Sequence, residues 1–248
     1  MQRVFAPEGP INGQILLDRD EAHHLMKVRR VEIGEPVHAF DGLGHAWLCR
    51  VAASTKTTAL LDVQSVMDSP IGRYLPKLTI ATAVPKGDRF DWIIEKATEL
   101  GVDHLVPLRC ERSVVEPRET KLDRLRKSVI ESCKQCGRND LMTLHQPMSL
   151  PSFLSNLKPG ELGLVADQTG LPLMQIRSGI ETLGHSAIKV CVGPEGGWTN
   201  QEKQSALAQG WQPVGLGPFI LRIETAVVAA VAAIHSAHWN QQPKDESE

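Results

Sequence analysis

The chain has 248 residues, of which 42% are hydrophobic and 23% charged, and its formal net charge is −2 at pH 7. These fractions are ordinary for a soluble globular protein, and the length suits one large domain or two modest ones. With this net charge, the protein as a whole is not a polycation. No apolar run is long enough to cross a bilayer and residues 1–10 do not resemble a signal peptide, so we expect a cytoplasmic protein with no membrane partner.

Residues 1–70 are rich in short apolar or alternating runs, which predict β-strands near residues 3–5, 14–17, 36–40, 46–51 and 59–63. The Asp-Gly-Leu-Gly sequence at 41–44 predicts a hairpin turn between two of them. One helix is predicted from Asp20 to Arg29. This pattern indicates a small β-barrel, followed by a linker at residues 68–72 that contains serine, proline and glycine.

From residue 76 the pattern changes to alternating strands and helices. Strands are predicted at 78–84, 104–108, 162–166 and 188–192, and helices at 88–101, 120–135, 199–209 and 224–239. Thr199 and Glu202 have the spacing of a capping box. This order predicts a mostly parallel sheet with helices on both faces, in which ligands bind beyond the carboxyl ends of the strands.

The last predicted helix is rich in alanine and valine and apolar on most sides. Such a helix belongs in an interface or in a core, so a homodimer contact and an internal position both remain open. Residues 241–248 are polar and are predicted to be a disordered tail.

The five cysteines are odd in number and scattered, which indicates reduced thiols. Cys133 and Cys136 have the spacing of zinc ligands but lack a second pair, and His23 and His24 lack further ligands. No metal site is therefore predicted. Residues 77–140 hold 13 Lys/Arg against 11 Asp/Glu, so a nucleic-acid partner would need a local basic surface.

Two glycine-rich segments near the C-terminus are the most informative feature: VGPEGGWT at 192–199 and LGPFILRIETA at 216–226. Each comes between a strand-like run and a helix-like run, where glycine and proline shape tight turns. Two such loops on neighbouring strand ends would form a cleft lined by main-chain atoms, which suits a small polar cofactor with a flat base. Taken singly, each segment would also fit a plain turn.

Nearly the whole chain resembles one family, the 16S ribosomal RNA uridine N3-methyltransferases of the SPOUT class. The resemblance rests on the two glycine-rich segments and on further matched motifs, namely RVF at 3–5, HL at 24–25, KGDR at 86–89, IEKATELGV at 94–102, ERS at 111–113 and QCGRN at 135–139. Two residues depart from the family pattern: Phe219 replaces an arginine and Ile223 replaces a threonine.

The resemblance implies a PUA-like β-barrel that binds RNA (residues 1–70) and an α/β methyltransferase domain with a trefoil knot (residues 76–240). It also implies a homodimer, with each cofactor site completed near the partner subunit. The implied reaction transfers a methyl group from S-adenosylmethionine to N3 of a uridine in 16S rRNA, either naked or in the assembled small subunit.

The resemblance also implies roles for single residues. The expected cofactor site comprises Val192, Gly193, Glu195, Gly196, Leu216, Gly217, Ile220, Leu221, Thr225 and Ala226. Arg222 is expected to steady the uridine oxygens. Glu224 is expected either to accept the N3 proton or to act only as a first-turn acid of the helix.

Cations expected to contact RNA phosphates are Arg29, Arg30, Lys86, Arg89, Arg112 and Arg138. An alternative function is a non-catalytic RNA-binding assembly factor that keeps the cofactor fold, for which Phe219 is the best support. A nucleotide-binding dehydrogenase is disfavoured because no G-x-G-x-x-G turn follows an early strand.

Overall fold

The computed structural model of the chain describes residues 1–67, 76–113, 115, 119–173, 175 and 187–239. These residues divide between two compact units: the first holds the described residues within Met1–Gly72 and Val129–Leu141, and the second holds those within Arg73–Ser128 and Met142–Glu248. The predicted linker at 68–72 and the predicted tail at 241–248 lie outside the described residues.

The first unit is built on five strands, all of which the sequence predicted within a few residues. They are β1 (Gln2–Phe5), β2 (Gln14–Leu17), β3 (Pro36–Phe40), β4 (Ala46–Ser54) and β5 (Ala59–Met67). The predicted helix is confirmed as α1 (Arg19–His23), which continues as a π-helical segment over His24–Val28. The Asp18 side chain caps α1 by accepting from the Glu21 amide.

The five strands form an open sheet in the order β1-β3-β4-β5-β2, with only the β1–β3 pair parallel. The predicted small β-barrel is therefore confirmed only in part: this part of the structure is a half-barrel. Among the described residues, β1 pairs only with β3 and β2 only with β5, and each of these edge strands is four residues long. Closure would need the two edges to pair with each other.

The predicted hairpin turn between β3 and β4 is confirmed. The Asp41 carboxylate accepts hydrogen bonds from the backbone amides of Leu43 and His45, at 2.7 and 3.1 Å. Gly42 adopts φ +80° and Gly44 φ +107°, conformations that side-chain-bearing residues rarely take.

The second unit alternates strands and helices. Its strands are β6 (Lys77–Ala83), β7 (His104–Arg109), β8 (Thr143–Leu144), β9 (Met148–Ser149), β10 (Glu161–Pro172), β11 (Ala187–Val192) and β12 (Gln212–Gly215). Its helices are α2 (Arg89–Glu99), α4 (Leu150–Leu154), α5 (Asn200–Ala208) and α6 (Ile223–Trp239), while α3 (Glu119–Cys136) passes from this unit into the first.

The sheet of the second unit is parallel, in the order β12-β10-β11-β6-β7-β8, with β9 also paired to β7. Helices cover both faces, as predicted. Helix α6 packs on α2, β6 and β11. On the other face, Ala81, Val165 and Cys191 belong to an apolar cluster that also includes residues of α4 and α5.

Helix α6 is not buried all round within this chain. Its inner face is fully apolar and buried: Ile223, Ala226, Val227, Ala230, Val231 and Ile234. Its outer face exposes the small side chains of Thr225, Ala232 and Ser236. The packing on α2, β6 and β11 accounts for the buried face of this helix, while Thr225, Ala232 and Ser236 remain exposed within this chain.

Candidate active site

A cavity of about 890 Å³ lies beyond the carboxyl ends of β11 and β12 and beside the middle of β10. Both glycine-rich segments line it, as predicted. The remaining wall comes from β10, with contributions from the first residue of α2, from α5 and from α6. A parallel sheet places its strand ends at one edge, which is why two segments twenty residues apart in sequence meet here.

The loop after β11 is shaped around an internal tryptophan. A Cβ on Gly193 would lie 2.7 Å from Cε2 of Trp198, closer than real contacts allow. The Trp198 ring is 8% exposed, and its Nε1 donates a 2.9 Å hydrogen bond to the carbonyl of Ala166. Gly193 therefore makes room for Trp198, which ties the loop after β11 to β10.

Arg112 covers the next part of the same loop. A Cβ on Gly196 would lie 3.1 Å from Cδ of Arg112, and Arg112 Nη1 donates a 2.6 Å hydrogen bond to the Gly196 carbonyl. Glu202 of α5 holds the segment before Arg112, because its Oε1 accepts from the Glu111 amide at 2.9 Å. Its Oε2 accepts from the Thr199 amide and completes the predicted capping box.

The loop after β12 is the most open wall of the cavity. Gly217 has φ +149°, and no atom lies within 4 Å of where its Cβ would be. Leu216, Ile220 and Leu221 line the cavity here, with Ile220 84% exposed. Glycine at 217 therefore serves the backbone conformation of the loop.

The wall from β10 is a bulge that the sequence analysis missed. β10 pairs with β12 through Ala166, loses register, and pairs again from Leu171. The residues between are pushed out, and Asp167, Gln168 and Thr169 line the cavity. Gly170 makes this possible, since its Cβ would lie 2.4 Å from the backbone of Pro213. The available signal was a polar run ending in glycine directly after a buried strand.

Asp167 fixes the bulge to α5. Its carboxylate accepts from the Thr169 amide at 2.8 Å and forms an ion pair with Lys203 Nζ at 2.6 Å. Burial alone would raise the pKa of Asp167, but the hydrogen bonds from Lys203 and Thr169 outweigh it and hold the pKa below its ordinary value. Asp167 is therefore an anion at neutral pH and a rigid part of the wall.

Arg89 connects the charged groups of the site. Its Nη2 lies 2.9 Å from Glu195 Oε1, and its Nη1 lies 3.9 Å from Glu224 Oε2. Its Nε donates to the carbonyl of Lys86, which fixes the guanidinium against the cavity. Within the described part of the chain, Glu224 Oε2 is buried and receives no hydrogen bond.

Most of the residues predicted to bind the cofactor line this one cavity: Val192, Gly193, Glu195, Gly196, Leu216, Gly217, Ile220, Leu221 and Ala226. Arg222 and Arg89 line it as well. Thr225 and Glu224 do not line it: Thr225 is exposed on α6, and Glu224 Oε2 lies 3.9 Å from Arg89 Nη1. Lining residues missed by the sequence analysis are Ala166, Asp167, Gln168, Thr169 and Lys203.

The cations predicted to contact RNA differ in availability. Lys86 and Arg112 are exposed in the second unit, and Arg29 and Arg30 are exposed in the first. The side chain of Arg138 is only 10% exposed, and its Nη2 forms a 2.7 Å ion pair with Asp140. Arg138 thus holds the turn that follows α3, a contact that the sequence motif did not show.

The two cysteines near the end of α3 differ in exposure: Cys133 is buried and Cys136 is exposed. Burial raises the pKa of the Cys133 thiol to about 12. Within the ranges the structure describes, no three His, Cys, Asp or Glu side chains are grouped as metal ligands.

Comparison with known proteins identifies the family. The profile of an RNA methyltransferase domain matches residues 73–235, and that of an RNA methyltransferase PUA domain matches residues 17–64. The ribosomal RNA small subunit methyltransferase E of Synechocystis sp. is 34% identical over 94% of this chain and 76% of its own length. The chain belongs to the ribosomal RNA small subunit methyltransferase E family.

Two further members of the methyltransferase E family are similar to this chain over nearly its whole length. The Bacillus subtilis protein of that name is 30% identical over 94% of this chain and 96% of its own length. The crystal structure of the Neisseria gonorrhoeae protein bound to S-adenosyl methionine is 32% identical, with a TM-score of 0.87 over 95% of this chain and 97% of that one. The first unit is accordingly PUA-like and the whole fold is α/β.

In this methyltransferase E chain, the two departures from the family pattern both lie at the cavity. Phe219 and Ile223 line it, the former 78% exposed and the latter 5% exposed.

Among the described helices, none combines the length and apolar character needed to cross a bilayer.

Proposed function

We propose that this chain transfers a methyl group from S-adenosylmethionine to N3 of a uridine in the 16S rRNA of the small ribosomal subunit, acting in the cytoplasm. One observation carries the proposal: the two glycine-rich segments typical of its family meet at a single cavity with the cations Arg89 and Arg222. Membership of a methyltransferase family favours this reading over an RNA-binding factor without turnover.

The residues of the cavity fit S-adenosylmethionine. About 890 Å³ lies within the range of small-molecule sites, roughly 300–1,000 Å³. Leu216, Ile220 and Leu221 offer apolar surface for an adenine ring. The Glu195 carboxylate lines the same cavity, where a cationic ligand would compete for it with Arg89 at 2.9 Å. When bound, the cofactor supplies a methyl group that its sulfonium already activates.

The chain's own residues would then align the uridine and manage its N3 proton. Arg222 is exposed on the cavity wall, where its guanidinium would stabilise the uridine anion at the pyrimidine oxygens. Glu224 is the candidate proton acceptor because its Oε2 receives no hydrogen bond from any described residue. Since Glu224 does not line the cavity, its side chain would have to turn toward the cavity to reach N3.

Two variants test these roles. Arg222→Ala should reduce the rate of methyl transfer to 30S subunits far more than it weakens cofactor binding, because Arg222 acts on the uridine anion. Glu224→Gln keeps the shape of the side chain and removes the base, so its rate should fall while cofactor affinity, measured by calorimetry, stays. Parallel losses of rate and affinity in Arg222→Ala would show that Arg222 belongs to the cofactor site.

The decisive experiment separates the enzyme from the assembly factor. Purified protein is mixed with S-adenosylmethionine carrying a tritiated methyl group and with 30S subunits, naked 16S rRNA or transfer RNA. Label in 16S rRNA, located at uridine N3 by mass spectrometry of nucleosides, is the expected result. Cofactor binding without transfer to any RNA would favour the non-catalytic factor.

RNA would be held by both domains, residues 1–70 and residues 76–240. We propose phosphate contacts from Arg29 and Arg30 in the first domain and from Lys86 in the second, all of which are exposed. Arg89, Arg112 and Arg138 already contact protein groups, so a phosphate would share their guanidinium groups with those partners. Removing an exposed phosphate contact should lower the slope of log affinity against log salt by about one.

The homodimer and the trefoil knot belong to the same proposal. The outer face of α6, with Thr225, Ala232 and Ser236 exposed, would allow close approach of a second copy. Light scattering of the purified protein tests the dimer. Mechanical stretching of the single chain tests the knot, because a tightened knot leaves the unfolded chain shorter than its full contour length.

A further inference from the structure

An exposed aromatic ring stands at the mouth of the cavity. Phe219 is 78% exposed, whereas Phe40, Phe90 and Phe153 are buried and Phe5 is half-buried. The neighbouring Ile220 is 84% exposed, the highest value among the large apolar side chains of the described residues. Both line the cavity, so the loop after β12 presents its apolar side chains to an incoming ligand.

Two cations, Arg89 and Arg222, line the same cavity as these apolar side chains. Arg222, three residues along the same loop, is exposed, and Arg89 across the cavity retains 35% of its side-chain exposure while paired with Glu195. Arg112 lies exposed over Gly196 on the loop after β11. An exposed aromatic ring and guanidinium groups at one site are what proteins use for unpaired nucleotides, with bases stacked on rings and phosphates held by cations.

We propose that Phe219 stacks on an unpaired RNA base at the entrance of the cavity and thereby selects nucleotides outside a duplex. The inference rests on the proposed function and names the form of RNA that this site accepts. A phenylalanine ring can neither neutralise a phosphate nor donate a hydrogen bond, so its contribution to RNA binding must come from the face of the ring. An enzyme that modifies N3, an atom covered in a base pair, needs its base unpaired and out of the stack.

A series at one position separates stacking from general apolar contact. Phe219→Tyr keeps the ring face, Phe219→Leu keeps apolar surface without it, and Phe219→Ala removes both. Leu207→Ala is the matched control, because Leu207 is an apolar side chain of α5 that is 57% exposed and lies outside the cavity. Each protein is titrated with a fluorescent single-stranded RNA containing uridine and with the same sequence in a duplex.

We expect Phe219→Ala and Phe219→Leu to weaken binding of the single strand by roughly 5- to 150-fold, the range for one lost base stack. Phe219→Tyr and Leu207→Ala should bind as the unmodified protein does. The slope of log affinity against log salt should not change, because no phosphate contact is lost. S-adenosylmethionine affinity by calorimetry should also stay, and the KM for RNA in methyl transfer should rise with the dissociation constant.

Three outcomes would overturn the inference: full RNA affinity in Phe219→Leu, a parallel loss of cofactor affinity, or conversion of a dimer to a monomer in light scattering. The first would indicate a merely apolar contact, the second a cofactor contact and the third a second copy of this chain over the ring. The binding arm does not need turnover, so it remains informative if the unmodified protein methylates no RNA, an outcome that would refute only the proposed function.

Discussion

Replacing Gly193 by alanine perturbs the wall of the cavity through a single contact. The new Cβ would lie 2.7, 3.0 and 3.1 Å from Cε2, Cδ2 and Cζ2 of Trp198. The tryptophan ring is 8% exposed and packed in the apolar cluster that includes Ala206 and Trp211, so it has little room to yield. Any shift also strains the 2.9 Å hydrogen bond from Trp198 Nε1 to the Ala166 carbonyl.

The cost follows from these two contacts. Overpacking a core position costs about 1–3 kcal/mol, and a lost hydrogen bond adds about 1 kcal/mol. We therefore expect Gly193→Ala to lower the free energy of unfolding by roughly 2–4 kcal/mol. Because Trp198 joins the loop after β11 to the bulge of β10, S-adenosylmethionine affinity should fall at least about tenfold, which corresponds to about 1.4 kcal/mol.

Urea unfolding and calorimetric titration with S-adenosylmethionine measure the two effects. Gly197→Ala is the matched control in the same loop: Gly197 has φ +68° and open space around it, so alanine there costs only backbone strain of about 1–2 kcal/mol. In a double-mutant cycle, Trp198→Phe should relieve part of the clash with Gly193→Ala but none of the strain at Gly197.

Two results would refute this reasoning. One is a Gly193→Ala protein that binds the cofactor and resists urea as the unmodified protein does. The other is strict additivity of Gly193→Ala with Trp198→Phe, which would show that the two positions do not compete for the same space.

Three further predictions follow from the site and its surroundings. Arg112→Ala should weaken cofactor binding in calorimetry, by about 1 kcal/mol for one lost hydrogen bond. If cofactor affinity is unchanged and the slope of log RNA affinity against log salt falls, Arg112 is instead a phosphate contact. Asp167→Asn should lower the free energy of unfolding at pH 7, and progressively less as the pH falls below the ordinary carboxyl pKa of about 3.9. The reason is that the pKa of Asp167 is lowered in the folded protein, so its pair with Lys203 is stabilising only while Asp167 is ionised. An equal loss at pH 7 and pH 3 in urea unfolding would contradict this. Iodoacetamide at pH 8 should alkylate the exposed Cys136 before Cys110, since burial raises the pKa of the Cys110 thiol to about 12. The order is measured by mass spectrometry, and the reverse order would contradict the exposure and pKa given for these two thiols.

Local patterns were sufficient to predict most elements of this chain. Apolar periodicity predicted α2, α3, α5 and α6, and the Thr199/Glu202 spacing predicted the cap that begins α5. The glycine-rich segments were predicted to share a cleft because parallel strands end at one edge. These features depend on residues close together in sequence or on general rules of sheet geometry, so they can be recognised from the sequence alone.

The β10 bulge shows where sequence reasoning stopped. Gly170 is needed because the backbone of Pro213, which is distant in sequence, passes 2.4 Å from where its Cβ would be. Lys203, which lies on α5, is likewise distant in sequence from Asp167 and forms an ion pair with it. Neither partner can be identified from the local pattern, so the third wall of the cavity was missed.

The sequence by itself determined the family, most of the longer strands and helices and the two loops that carry the proposed cofactor site, but it did not predict β8, β9 or α4. Tertiary structure alone decided that Gly193 accommodates Trp198, that Arg138 pairs with Asp140, and that the N-terminal sheet stays open between its two short edge strands. The physical reason is that a glycine, a cation or an edge strand acquires its role from the atoms packed against it, and those atoms come from elsewhere in the chain.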